Sequence, residues 1–140
     1  VKIITINDVE YISFRLAREF LAYEEPIPDF STRFPNILES CVITPFQEFA
    51  GKRLYPTLIK QAAILFYLMI KNHPFQNGNK RIALTTLLTF LNLNNKWIVV
   101  DNQELYNMTV WVAMSPADSK KQVVEALENF IQKYLVNIKR

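Results

Sequence analysis

The chain of 140 residues has one cysteine, one histidine and two glycines. A single Cys41 excludes an intrachain disulfide, and its neighbours Val42 and Ile43 give it the setting of a buried structural thiol. Without a disulfide framework or a signal-peptide pattern, a cytoplasmic location is expected. Two glycines are too few for the turns of an all-β sandwich, which points to a helical fold. The apolar run Ala62–Ile70 is nine residues long. A bilayer span needs roughly 20, so no membrane association is expected. Repeats, low-complexity tracts and long like-charge blocks are also lacking. The net charge is only +3, and the cations are scattered as Lys52-Arg53, Lys80-Arg81, Lys120-Lys121 and Lys139-Arg140. No basic stripe interleaved with aromatics forms, so nucleic acid is not indicated as a partner.

What is present is a folded composition, 50% hydrophobic and 21% charged, of a length that fits one domain over residues 1–140. Residues 2–6 read as an extended entry. Asn7 with Glu10 forms the pattern of a capping box, and Val9, Ile12, Leu16 and Phe20 mark an amphipathic helix over 8–23. Pro26, Pro28 and Pro35 interrupt regular structure before a short helix restarts at Asn36. Val42-Ile43-Thr44-Pro45-Phe46 is β-branched and ends near proline, which predicts an edge strand or flap, followed by a loop over 47–55. Pro56 suits the first turn of the next helix, which ends near Asn72 because Pro74 disfavours helical geometry at His73. That helix is apolar nearly all round, as is the one from Asn79 or Lys80 to Asn92–Asn95. The two predict a buried central hairpin, with an asparagine in the left-handed cap position at its end. Trp97–Val100 is extended. Asp101 with Glu104 opens a helix to about Met114. Ser119 with Gln122 opens the last helix, striped by Val123, Leu127, Phe130 and Tyr134. The expected fold is an all-α bundle around the buried hairpin, with a short extended flap.

Between the two apolar helices lies a polar nonapeptide, His73-Pro74-Phe75-Gln76-Asn77-Gly78-Asn79-Lys80-Arg81. A helix starting near Asn79 leaves its first amide N–H groups without partners and carries the positive end of its dipole there. Gly78 lets the backbone approach a ligand, Asn79 adds an amide donor, and Lys80 and Arg81 add charge; together they suit an anion such as a nucleotide phosphate. An imidazole, with an ordinary pKa of about 6.5, suits His73 to take a proton from a hydroxyl. Phe75 is expected to plug the core below. The reading is phosphoryl or nucleotidyl transfer. The alternative from the residues alone is a helix-end histidine followed by an ordinary Asn-Gly turn.

The pattern His-Pro-Phe-x-x-Gly-Asn-x-Arg resembles the signature of the Fic/Doc superfamily. At its eighth position Fic proteins usually have Gly and the Doc, or death-on-curing, branch has Lys, as Lys80 is here. Leu38-Glu39-Ser40, Tyr55-Pro56, Ala62-Ala63, Ala83 and Phe90-Leu91 also look like the Doc branch. The resemblance implies a Fic-like helical bundle and a toxin that transfers phosphate from ATP or another nucleoside triphosphate to a hydroxyl of a target protein such as elongation factor Tu. It implies His73 as general base, Gly78 and Asn79 as anion hole, Arg81 on phosphate oxygens, and Lys80 at the position separating Doc from Fic AMP-transferases. It also implies magnesium, and an antitoxin whose tail covers the site. The magnesium position of the motif, usually Asp or Glu, is Asn77 here; a neutral amide is a weaker ligand for a hard cation. Two alternatives stand beside this expectation: Fic-type AMP transfer, and a weakened member acting as a binding module. The family's self-inhibitory helix pattern is approached by Val124–Asn129, where Val124 replaces the hydroxyl residue; a solvated surface helix is expected there.

Overall fold

A computed structural model describes residues 1–19 and 26–138. The first helix, α1, begins at Ile6–Asp8, passes through a π-helical turn at Val9–Ser13 and continues as Phe14–Glu19. Its cap is Thr5 with Asp8, not Asn7 with Glu10. The Asp8 N–H donates to the Thr5 hydroxyl (3.2 Å), and the Thr5 N–H donates to the Asp8 carboxylate (2.9 Å). The helix therefore starts at Ile6, two residues earlier than expected. The π turn also rotates the buried face: Val9, Ser13, Phe14 and Ala17 point inward. Ile12 and Leu16, expected in the core stripe, line an open groove with Leu88, Leu93 and Trp97 instead. Phe20 and the expected helix end at 23 lie outside the described residues.

A short 3₁₀ turn at Phe30–Thr32 leads to α2, Pro35–Ile43, with Pro35 in its first turn. The expected strand over 42–46 is absent. Val42 is buried as part of α2, the Thr44 hydroxyl donates back to the Ser40 carbonyl (2.7 Å), and Thr44–Phe46 tightens into a 3₁₀ turn. Burial of one helix face overrides β propensity here. The flap lies further on, inside the predicted loop. Strands β1 (Glu48–Phe49) and β2 (Lys52–Arg53) pair antiparallel, Glu48 with Arg53 and Phe49 with Lys52. Ala50 (φ 52°) and Gly51 (φ 78°) turn between them with the left-handed backbone that matches the twist of a two-residue hairpin.

The centre of the molecule is the hairpin of α3 (Leu58–Lys71) and α4 (Asn79–Leu93). Every residue of α3 from Gln61 to Ile70 and of α4 from Arg81 to Leu91 is buried. At about 1.5–3 kcal/mol per large apolar side chain removed from water, this pair carries most of the hydrophobic stabilisation. Pro56 stands outside α3, because Thr57 takes the cap and its hydroxyl accepts from the Lys60 N–H (3.2 Å). At the far end of α4, Asn95 adopts φ 59°, the left-handed position expected of an asparagine there. Asn94 ties the extended entry down, accepting from the Lys2 N–H and donating to the Lys2 carbonyl.

Strand β3 (Lys96–Ile98) follows, then α5 (Asn102–Met114) and α6 (Lys120–Tyr134). Asp101 caps α5 by accepting from the Gln103 N–H, but Glu104 does not complete a box; it accepts from the Tyr134 hydroxyl (2.7 Å). Ser119 makes no side-chain cap bond, because a 3₁₀ turn at Ala117–Ser119 precedes α6. Val123, Leu127 and Ile131 form the deep stripe of α6, while Phe130 and Tyr134 are half-buried and stack edge to face. The chain then turns into β4 (Leu135–Asn137), which pairs with β3. The described residues form an all-α architecture with two small two-stranded antiparallel sheets, the β1–β2 hairpin and the β3–β4 pair that brings the end of the last helix back beside β3. No described helix is long and apolar enough to cross a membrane.

Helices α1 and α4 share a buried polar seam. The Thr85 hydroxyl donates to the Ser13 carbonyl (2.9 Å), and the Ser13 hydroxyl donates to Thr89 (3.1 Å). The π turn thus places a main-chain acceptor in the interface, where Thr85 can satisfy it. Thr85→Val leaves that carbonyl without this donor and is expected to cost about 1–3 kcal/mol in urea unfolding; an unchanged midpoint and slope would show that the seam adds nothing to stability.

Candidate active site at the turn of the central hairpin

The turn joining α3 to α4 is held from three sides. Asn72 ends α3, its N–H donating to the Leu68 carbonyl (3.0 Å). His73 then takes φ 49°, a left-handed conformation that breaks the helix and leaves its side chain exposed. The expectation that Pro74 forces His73 out of helical geometry is met. Pro74 and Phe75 are buried, and the Pro74 carbonyl accepts from the Phe34 N–H (2.9 Å). The Phe75 ring meets Phe14 at 4.9 Å and Phe30 at 6.3 Å between centroids, so it anchors the loop in the core as expected.

Asn79 closes the turn. Its Oδ1 accepts from the Phe75 N–H (3.0 Å), and its Nδ2 donates to the Phe75 carbonyl (2.9 Å). Its side-chain amide thus holds the loop, and what it offers an anion is its main-chain N–H. Gly78 (φ 71°) is the N-cap residue of α4. A Cβ added there would lie 2.9 Å from Ile27 Cδ1 and 3.3 Å from the Pro26 carbonyl oxygen. The Pro26–Ile27 segment therefore covers Gly78 closely. The first α4 bond runs from the Ile82 N–H to the Gly78 carbonyl (3.0 Å), so the amides before it form the positive helix end.

A cavity of about 180 Å³ opens at this end. His73, Gln76, Asn77, Asn79 and Lys80 line it, and Ala113 of α5 closes one wall. The structure therefore brings His73, Asn77, Asn79 and Lys80 together, next to Gly78. Arg81 is not among the residues lining the cavity: it is 4% exposed, and its guanidinium donates to the Ala17 carbonyl of α1. This bond ties α1 to α4 below the turn.

Ala113 and its support were not foreseen from the sequence. The Lys71 ammonium donates to the carbonyls of Ser115 (2.5 Å) and Ala113 (3.4 Å), capping the end of α5 and fixing it beside the cavity. A lysine in the last turn of α3 was visible, but its partners lie more than forty positions away in the chain. The Val124–Asn129 segment does not reach the site. Glu128 pairs with Lys60 (3.1 Å) in the first turn of α3, roughly 20 Å of helix from His73 at 1.5 Å per residue.

The lining does not suit a hard divalent cation. Among the described residues it offers amide oxygens and the Lys80 charge but no carboxylate, and no cluster of three or more His, Cys, Asp or Glu occurs among them. Cys41 is a structural thiol, as expected: it is fully buried and donates to the Leu68 carbonyl (3.5 Å). Burial raises its pKa from 9.0 to about 11, against a small lowering by Asn72.

The profile of the Fic/DOC family matches residues 3–91. The chain belongs to the Fic/DOC family. It is 33% identical over 66 residues to the toxin Doc of Mycolicibacterium smegmatis, a match covering 47% of this chain and 51% of that protein. The chain thus spans about half the length of this curated relative. No solved structure matches it. Family membership agrees with the all-α architecture and the nonapeptide, and the likeness to Doc agrees with Lys80.

Two outcomes follow from the geometry. Gly78→Ala must adopt a left-handed backbone and displace Ile27, and it is expected to lower stability by about 1–2 kcal/mol in thermal or urea unfolding. Cys41 has a raised pKa when folded, so its contribution is complete below pH 9.0 and is lost as pH rises through about 11. Cys41→Ser should flatten that alkaline loss relative to the parent; parallel stability profiles across this window would contradict it.

Proposed function

We propose that this protein is a Doc-like toxin that transfers phosphate from a nucleoside triphosphate, ATP being the simplest donor, to a hydroxyl of a target protein such as elongation factor Tu. The observation that carries the reading is a base and a cation lining one cavity at a helix N-terminus: His73 on one lip, Lys80 and the α4 amides on the other. The cavity is well below the roughly 300–1,000 Å³ of a typical small-molecule pocket, so it suits a phosphoryl group better than a whole nucleotide.

In this reading the target hydroxyl enters beside His73. The imidazole takes its proton while the hydroxyl oxygen forms a bond to the terminal phosphorus. The bond from that phosphorus to the bridging oxygen breaks, and a nucleoside diphosphate leaves. The α4 amides and Lys80 hold charge on the phosphoryl oxygens, where fixed dipoles supply most of the rate. The left-handed His73 backbone, the buried Phe75 and the Asn79 clasp keep base and cradle in register. Magnesium is left out of these steps because the described lining supplies no carboxylate. A partner antitoxin with a tail over the turn fits the same reading, since the site is open to solvent at His73.

Incubating the purified protein with ATP, magnesium and cell extract, then measuring intact protein masses, is expected to show one target gaining a phosphate. His73→Ala should abolish the gain, by about 10²–10⁴-fold if the histidine acts as general base. Gain of a whole nucleoside monophosphate would assign Fic-type AMP transfer. No gain with either protein would leave a binding module, the reading favoured by Asn77 at the motif's usual carboxylate position.

A further inference from the structure

The cavity holds a reactive pair of its own. Asn77-Gly78 is the chain's one asparagine followed by glycine. We propose that Asn77 is a self-modification site, which cyclises onto the Gly78 nitrogen and hydrolyses to place a carboxylate in the cavity.

The chemistry needs a side-chain amide free to turn, a following nitrogen free to attack, and water. Asn77 is half-buried in the irregular segment between α3 and α4, lines the cavity, and makes no side-chain hydrogen bond to a described residue. Asn79, two positions on, makes the contrast: both atoms of its amide are held by Phe75. Gly78 has no side chain of its own beside the attacking nitrogen, although the residue is buried and Ile27 Cδ1 lies 2.9 Å from where a Cβ would start. As the N-cap residue it carries one of the amide hydrogens that α4 leaves without a helical acceptor. The positive helix end and Lys80 favour the negative charge that develops on oxygen when the nitrogen attacks.

The step balances without any oxidant. The Gly78 nitrogen bonds to Asn77 Cγ, the Cγ–Nδ2 bond breaks, and ammonia leaves with the Gly78 amide hydrogen. Water then opens the cyclic imide. Opening at the Cγ–N bond restores the main chain and leaves an aspartate side chain; opening at the other bond gives the isomer with the main chain routed through Cγ. The aspartate product adds a negative oxygen ligand to the described lining, so the aged protein gains affinity for a divalent cation. The modification stands independently of the phosphate-transfer reading, because both its readouts are separate from transfer.

The test ages the folded full chain in mildly alkaline buffer and samples it over weeks. The Asn72–Lys80 tryptic peptide is compared with synthetic peptides carrying asparagine, aspartate or isoaspartate at position 77. The expected result is a growing aspartate fraction at 77, with Asn72 and Asn79 unchanged and Asn77→Gln stable. Conversion absent from the folded chain but present in the free peptide would overturn the proposal, as would conversion only to isoaspartate. Calorimetric titration with magnesium alone should show the aged protein and Asn77→Asp binding at least about tenfold more tightly than fresh protein. Equal affinities would overturn the cation-binding consequence.

Discussion

The constraint on which the structure depends is that α3 and α4 are buried around their whole circumference. A helix with no solvent face needs neighbours on every side, and α1, α2, α5 and α6 supply them. The polar residues between α3 and α4 therefore have one place to go, the open end of the hairpin. There the chain must reverse and keep its main-chain groups satisfied. The Asn79 amide does this for Phe75, and the left-handed His73 and Gly78 provide the bends. The same packing that hides the helices displays the nonapeptide.

Stability and function draw on the same residues here. Phe75 anchors the turn through Phe14 and Phe30, and Arg81 joins the turn to α1. Both belong to the family motif, and both are buried. These two motif residues thus act from beneath, holding those that line the cavity. Lys71 extends the arrangement to α5, so that a wall of the cavity comes from a helix that begins more than twenty residues after the turn. A site assembled this way depends on the whole bundle being folded.

Much of the helical layout was legible, because α3 and α4 are long and apolar and end at strong signals: Pro74 after one, Asn95 after the other. The misplacements have local causes. The π turn in α1 inserts an extra residue, so a regular 3.6-residue period assigned Ile12 and Leu16 to the core while Ser13 and Ala17 took those places. Val42 to Phe46 carries strand-like residues, yet the burial of Leu38, Cys41 and Val42 on one face keeps it helical. The flap forms around Ala50-Gly51, where an alanine at positive φ gave no sequence signal for a hairpin. Strand β4 is only three residues long and exists because β3 lies beside it.

The sequence by itself determined the buried hairpin, the position of the turn, the family and the residue types available at the site. Those follow from apolar periodicity, proline and glycine, and a nine-residue motif, all local properties of the chain. Tertiary structure decided how those residues are used. It turned the Asn79 side chain back onto Phe75, drew Arg81 under the turn to Ala17, laid Ile27 over Gly78 and brought Ala113 to the cavity wall. The physical reason is that a hydrogen-bonding side chain takes the partner that packing places within reach, and those partners come from distant parts of the chain.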